Sequence, residues 1–141
     1  MRILVDADAC PVKDIIIEIA KKFNVEVYMY FDLSHEYENK EVNVVFCDKG
    51  RDSVDLKIIS QCQKDDVVIT QDYGLASLAL LKKAKVVHIN GFTINEENIE
   101  TLLTSRYNSL KQRKSGIFKG PKKRNENDNE KFYVALLELM R

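Results

Sequence analysis

Short apolar runs alternate with longer segments of helical periodicity along this chain, and that alternation is the feature that most restricts its fold. Three runs, at residues 3–5, 67–70 and 86–89, are too short to be helices. Two more, at 25–31 and 42–46, are rich in the Val, Tyr and Phe that strands favour. Because these runs are apolar throughout, they predict parallel strands that are covered on both faces.

Helical patterns lie between and after these runs. They predict helices over 12–23, 52–62, 73–81, 95–107 and 127–140. Pro11 suits the first turn of the first helix, and Asn127 with Glu130 forms a candidate capping box for the last. Strand–helix alternation of this kind predicts an α/β fold, a single domain over 1–141 with a mostly parallel sheet of about five strands and helices on both faces.

The composition agrees with one folded domain. Of the 141 residues, 45% are hydrophobic and 31% charged, with 5 Gly and 2 Pro, which excludes collagen-like and disordered chains. No apolar run approaches the roughly 20 residues of a membrane-spanning helix. The three Cys give no disulfide framework or metal-binding spacing, and the chain enters its first apolar run directly after Met1 and Arg2. We therefore expect a cytoplasmic protein without a signal peptide; the oligomeric state stays open.

The formal net charge of zero hides a separation of charge. The segment 106–124 contains 8 Lys or Arg and no Asp or Glu, so all 22 acidic residues lie elsewhere. Charge runs of this kind are usually solvated surface. They also suit contacts to phosphate when an acidic site lies nearby.

Aspartates cluster where three of the predicted strands end. Asp6 and Asp8 follow the first strand, Asp52 and Asp55 open the helix after the third, and Asp72 follows the fourth. The carboxyl ends of parallel strands meet at one edge, where ligands of open α/β sheets bind. Asp52 and Asp72 also suit helix N-caps, whereas Asp6 and Asp8 precede a helix that begins only near Pro11.

Carboxylates that converge in this way raise one another's pKa, and a divalent cation is the natural compensator. A site made only of oxygen ligands favours Mg²⁺ or Mn²⁺ over zinc. These ions polarise phosphoryl oxygens and activate water, which points to phosphodiester cleavage beside a basic segment. The candidate phosphate contacts are Lys13, Lys119, Lys122, Lys123 and Arg124, and Lys13 is equally suited to pair with the carboxylates.

Several motifs resemble those of the bacterial YaiI/YqxD family. They are DADACPVK at 6–13, GRDSVD at 50–55, VITQDYGLA at 68–76, and GPKKR at 120–124 with a following Phe132. That family is grouped with PIN-like domains, whose typical members are ribonucleases dependent on Mg²⁺ or Mn²⁺.

The resemblance implies catalytic and metal-binding roles for Asp6, Asp55 and Asp72, with Asp8 and Asp52 as additional metal-site residues. The nuclease would act on nucleic acid, with RNA as the expected substrate. One departure is Asn90, where many PIN nucleases carry a further acidic residue.

Two other functions stay open. The first is a regulatory protein that binds nucleic acid without cleaving it, using the basic segment and Tyr107 or Phe118 for stacking. The second is an aspartate-nucleophile phosphatase of the haloacid-dehalogenase type, with Asp6 as nucleophile and Asp8 as general acid. Cys10 in place of the usual Thr or Val argues against that phosphatase, and so does GRDSVD lying before the strand that ends at Thr70.

The remaining reactive side chains are predicted to be structural. Cys10, Cys47 and Cys62 lack the spacing of a phosphatase nucleophile, and the latter two have apolar neighbours. His35 and His88 are isolated in the sequence, and His88 lies inside a predicted strand.

Overall fold

A computed structural model describes residues 1–50, 52–114 and 123–141, apart from the side chains of 109–114. The strands are β1 (Ile3–Asp6), β2 (Val27–Asp32), β3 (Asn43–Cys47), β4 (Val67–Ile69), β5 (Lys85–Val87) and β6 (Thr93–Ile94). The helices are α1 (Lys13–Phe23), α2 (Ser53–Gln61), α3 (Tyr73–Leu81), α4 (Ile99–Lys114) and α5 (Glu126–Met140).

Within the described ranges, the strands form one six-stranded sheet in the order β3-β2-β1-β4-β5-β6. The first five are parallel, and β6 pairs antiparallel with β5. The predicted α/β domain with a mostly parallel sheet is therefore confirmed. The sequence pattern did not predict β6, because this strand is only two residues long.

Helices cover both faces of the sheet, as predicted. On one face, α1 and α5 pack against β1 and β4 through a core that includes Ile16, Ile19, Phe132 and Leu136. On the other, α2 and α3 contribute Val54, Ile58, Leu75 and Ala79. Burial on both faces explains why the central strands lack an alternating pattern.

The last helix, α5, begins one residue earlier than predicted and has a different capping box. Its capping box uses Asn125 and Asp128, each accepting the other's backbone N–H, and not Asn127 with Glu130. The sequence N-E-N-D-N-E offers both registers, and the observed one buries Phe132, Leu136 and Met140 in the core. The helix predicted over 95–107, in contrast, begins later than predicted, at Ile99, and extends to Lys114.

A close approach at Gly91 fixes α5 against the sheet. Gly91 has φ +90°, and a Cβ there would lie 2.4 Å from the carbonyl carbon of Lys131. Only glycine combines that conformation with that clearance. Within the described ranges, no helix is long and apolar enough to cross a membrane.

Candidate functional site at the carboxyl edge of the sheet

The strand order places a crevice between β1 and β4. From β1 the chain adds β2 and β3 on one side and then returns to place β4 on the other. The carboxyl ends of two strands that diverge in this way form the usual ligand site of an open α/β sheet. Asp6 is the last residue of β1, and Thr70 follows β4 directly.

Thr70 links two of the predicted site residues. Its hydroxyl donates to Asp6 Oδ2 at 2.9 Å and accepts the backbone N–H of Asp72 at 2.9 Å. Thr70 is fully buried, so these bonds fix the hydroxyl and both aspartates around it. Asp6 and Asp72 therefore lie on either side of the crevice.

Asp72 is also a helix cap, as its sequence position allowed. Its Oδ1 accepts the N–H groups of Gly74 at 2.8 Å and Leu75 at 3.2 Å at the start of α3. Arg106 Nη1, on α4, lies 3.5 Å from the same oxygen. These bonds orient the carboxylate and engage Oδ1.

Asp55 lies in the first turn of α2, the helix that follows β3, and its carboxyl group is the third one near the β1/β4 crevice. Burial, followed by the negative charges of Asp72 and Asp6, raises the pKa of Asp55 from 3.8 to about 7. A hydrogen bond between the carboxyl groups of Asp55 and Asp72 contributes to this rise. At pH 7, about half of the molecules therefore carry a proton on Asp55.

The pKa of Asp6 is raised as well. Burial is the main cause, and the charges of Asp72 and Asp8 add to it, while the hydrogen bond from Thr70 opposes it. Asp6, Asp55 and Asp72 therefore form one group of mutually repelling carboxylates, which we call the acidic triad.

Asp8 is engaged elsewhere. Its Oδ1 accepts the backbone N–H of Asp32 at 3.0 Å and lies 2.9 Å from His35 Nδ1. An Asx turn, in which Asp32 Oδ1 accepts the N–H of Ser34, brings His35 to this position. His35 was not predicted as a partner of this group, because its pairing with Asp8 becomes visible only once β2 is known to lie beside β1.

Asp52 contributes least to the group. It is exposed at the N-cap of α2, and its side chain makes no capping hydrogen bond. It is the last of the charges that raise the pKa of Asp55. The structure thus brings three of the five predicted aspartates together and leaves Asp8 and Asp52 at the periphery.

The acidic triad is not a closed metal cage. No group of three or more His, Cys, Asp or Glu side chains in the described residues is arranged to hold a metal ion. The repulsion that raises the pKa values acts over longer distances than a ligand bond, so the two observations are compatible. Mg²⁺ commonly keeps several waters and binds through one or two carboxylates. The oxygen-only triad therefore fits an open, water-rich site and not a protein-only cage.

The four lysines predicted to contact phosphate differ in their surroundings. Lys13 Nζ donates to the carbonyl of Cys10 at 2.7 Å and lies over the rings of Phe31 and Tyr37. Lys123 is exposed. Lys119 and Lys122 lie outside the described residues, as does Phe118 from the predicted stacking pair.

Arg124 has a clear structural contact set. Its guanidinium donates to Asn90 Oδ1 at 2.7 Å, to the carbonyl of Ile89 at 2.8 Å and to Asn129 Oδ1 at 3.0 Å. It therefore joins the start of α5 to the loop after β5. Asn90, the residue that departs from the PIN pattern, is a partner in that junction.

The other reactive side chains are structural, as expected. Cys10, Cys47 and Cys62 are buried, and burial raises the pKa of the Cys10 thiol, which disfavours a thiolate nucleophile. His88 is buried and stacks on Phe92 with ring centroids 4.5 Å apart. Burial, with a smaller effect of Arg124, lowers the pKa of His88 to about 4, so it is neutral at physiological pH.

Comparison with known proteins settles the relationship. The profile described as "Uncharacterized BCR, YaiI/YqxD family" matches residues 4–141. The chain belongs to the YaiI/YqxD family. A UPF0178 protein of Natranaerobius thermophilus is 50% identical over 131 residues, covering 92% of this chain and 89% of that protein. One from Ruminiclostridium cellulolyticum is 48% identical over 138 residues, covering 97% and 90%. No solved structure matches the chain.

Proposed function

We propose that this chain is a metal-dependent nuclease that hydrolyses phosphodiester bonds at the carboxyl edge of its sheet, with RNA as the substrate to test first. The observation that carries the proposal is the acidic triad at the β1/β4 crevice. Carboxylates that destabilise one another are retained at a ligand site more readily than in a purely structural position. The resemblance to PIN-like nucleases supports the reaction class by analogy.

Mg²⁺ or Mn²⁺ bound at the triad would neutralise the scissile phosphate and supply a water of lowered pKa. Asp55 and Asp6 are the candidate ligands, since Asp72 Oδ1 is engaged by the α3 backbone and Arg106. Asp72 retains its second oxygen for direct or water-mediated contact. With a pKa of about 7, Asp55 is partly protonated at neutral pH, and it would release that proton when a cation binds.

Residues around the triad would position the substrate. Thr70 fixes Asp6 and the backbone of Asp72, so that both carboxylates keep their orientation when the substrate arrives. Arg106 is 53% exposed and lies at the edge of the site, where it can contact a phosphate next to the scissile one. Lys123 is a second exposed candidate, whereas Arg124 is assigned to the α5 junction.

A cleavage assay tests the proposal directly. The full chain is incubated with end-labelled single-stranded RNA, and with DNA of the same sequence, in Mn²⁺, Mg²⁺ or EDTA. We expect cleavage that EDTA abolishes and that Asp6→Asn and Asp55→Asn reduce at least about 100-fold. Asp65→Asn is the matched control, because Asp65 is exposed at the opposite edge with φ 68°, a conformation that Asn tolerates.

Metal binding is tested separately by thermal unfolding with and without millimolar Mn²⁺. Ligand linkage predicts a stabilisation of about 1.4 kcal/mol at ten times the dissociation constant. Asp65→Asn should retain the full rise in Tm, and Asp55→Asn should lose most of it. Equal responses of the two variants would remove the triad as the metal site.

A nucleic-acid-binding protein without catalysis is the second candidate, and the lack of a three-ligand group among the described side chains favours it. In that case RNA is bound without cleavage, and Asp55→Asn leaves the affinity unchanged or increases it. The phosphatase alternative gains no support, since Asp8, its general acid, is bonded to His35 and the N–H of Asp32.

A further inference from the structure

The outer strand of the sheet next to β2 lacks the usual protection of a sheet edge. Among the described residues, β3 pairs with β2 alone. Its sequence Asn-Val-Val-Phe-Cys contains no charged residue and no proline. Soluble proteins commonly place Lys, Pro or a bulge on such strands to prevent pairing with another chain.

Exposed apolar side chains accompany this strand. Phe46 on β3 is 43% exposed, and Leu56 on α2 is 68% exposed. Both border an open groove of about 500 Å³ at this edge. The Phe46 ring packs against Phe31 on the α1 face of the sheet, and Leu56 lies on the α2 face. The backbone edge and an apolar surface thus coincide.

We propose that β3 pairs antiparallel with β3 of a second copy of this chain, around a two-fold axis at Val45. Along an edge strand, every second residue points its backbone N–H and C=O outward. In an antiparallel pair, two directly opposite residues either both point these groups at the partner strand or both point them away. When both strands are β3, the numbers of two opposite residues therefore differ by an even number. The axis at Val45 is the register that pairs all five residues; any other allowed register pairs fewer. A two-fold interface of this kind closes on itself and forms a dimer, not a fibre.

The side chains at this register are complementary. Val44 of each copy faces Phe46 of the other, an aromatic–aliphatic pair that occurs twice and covers the exposed ring. Just beyond the strand, the same register brings the turn at Glu41 close to the bend at Lys49 of the second copy, again twice. Glu41 also forms an ion pair with Lys21 of its own chain, whereas Lys49 is exposed.

The dimer would leave both candidate sites open. The paired strands run in opposite directions, so the two carboxyl edges face away from each other. One five-residue strand and a shallow groove make a small interface, which is typical of reversible association. We therefore expect the monomer–dimer equilibrium to depend on concentration in the micromolar range.

Sedimentation velocity of the full chain, from a few to several hundred micromolar, tests the proposal. The wild type should form dimers, and Phe46→Lys should weaken dimerisation at least about tenfold, since the change acts twice. Leu78→Lys is the matched control, because Leu78 is 46% exposed on α3, away from β3. Circular dichroism and urea unfolding show that each variant is folded.

A charge exchange tests the register itself. Lys49→Glu should weaken the dimer several-fold at low salt, and Glu41→Lys combined with Lys49→Glu should restore it. Hydrogen exchange should show slower exchange of the 43–47 amides as the concentration rises. A wild type that stays monomeric throughout, a dimer that Phe46→Lys leaves intact, or a double variant no tighter than Lys49→Glu would each overturn the proposal.

Discussion

Carboxylates stand at both edges of this sheet, and the two edges treat them in opposite ways. At the amino edge, just before β4, Asp66 is 2% exposed and accepts hydrogen bonds from Arg2 Nη2 at 2.8 Å and from the N–H of Gln63 at 2.9 Å. At the carboxyl edge, Asp55 meets Asp72 and Asp6. Asp66 thus has a cation and a backbone donor as neighbours, whereas Asp55 has further carboxylates. The donors at the carboxyl edge, Arg106 and the first N–H groups of α3, contact Asp72.

The pKa values show what this difference means. Burial alone raises the pKa of a carboxyl group at either edge. At the amino edge the hydrogen bonds and charge of Arg2 and the N–H of Gln63 outweigh burial, and the pKa of Asp66 falls below its usual value. At the carboxyl edge the neighbours add to burial and raise the pKa of Asp55 to about 7. The amino edge therefore stabilises the fold, and the carboxyl edge costs it stability.

Asp66→Asn should produce the largest change. It removes the charge that Arg2 contacts and replaces an acceptor oxygen with an NH₂ group, so we expect the free energy of unfolding in urea to fall by about 2–3 kcal/mol at pH 7. Asp65→Asn, one residue away and exposed, should change it by less than about 0.5 kcal/mol. Similar effects of the two substitutions would show that the Arg2–Asp66 pair does not stabilise the amino edge.

Asp55→Asn should have the opposite sign. Between pH 3.8 and about 7 the folded chain binds a proton that the unfolded chain has lost, so stability falls as pH rises through this interval. Removing the charge should stabilise the chain by on the order of 1 kcal/mol at pH 7.5, after allowance for solvent screening, and have little effect near pH 4. Urea unfolding at both pH values, without divalent cations, measures this difference. A loss of stability at pH 7.5 would contradict the assignment of the carboxyl edge as a strained site.

The sequence predicted the sheet better than the site. Five apolar runs and the turns between them were enough to predict the parallel strands, because strands buried on both faces have a strong composition signal. The capping box of α5 was misplaced, since adjacent Asn and acidic residues offer two registers of similar chemistry. Local pattern does not choose between such registers; the packing of Phe132 and Leu136 does.

The site depends on contacts that local sequence does not encode. Asp6, Asp55 and Asp72 could be selected because each follows a strand that ends at one edge. The link between Asp6 and Asp72 through Thr70, and the turn of Asp8 toward His35, depend on the strand order. Arg124 was predicted as a phosphate contact, and its bonds to Asn90 and Ile89 connect residues that are far apart in sequence.

The smallest effect concerns the two aspartates at N-caps on the carboxyl edge. Asp72 accepts two backbone N–H groups of α3, whereas Asp52 accepts none from α2. In the Asp55→Asn background, where repulsion from Asp55 is absent, Asp72→Ala should lower the free energy of unfolding by about 1 kcal/mol. Asp52→Ala should change it by less than about 0.5 kcal/mol.

Urea unfolding of the two double variants at pH 7 makes this comparison, with Asp55→Asn alone as the reference. Equal losses would mean that Asp52 is a structural cap of α2 in solution, as Asp72 is of α3. A larger loss for Asp72→Ala than for Asp52→Ala would mean that Asp72 combines two roles. Its Oδ1 holds the start of α3, and this contact fixes the carboxylate that faces Asp55, so the stabilising contact itself maintains the repulsion at the candidate site.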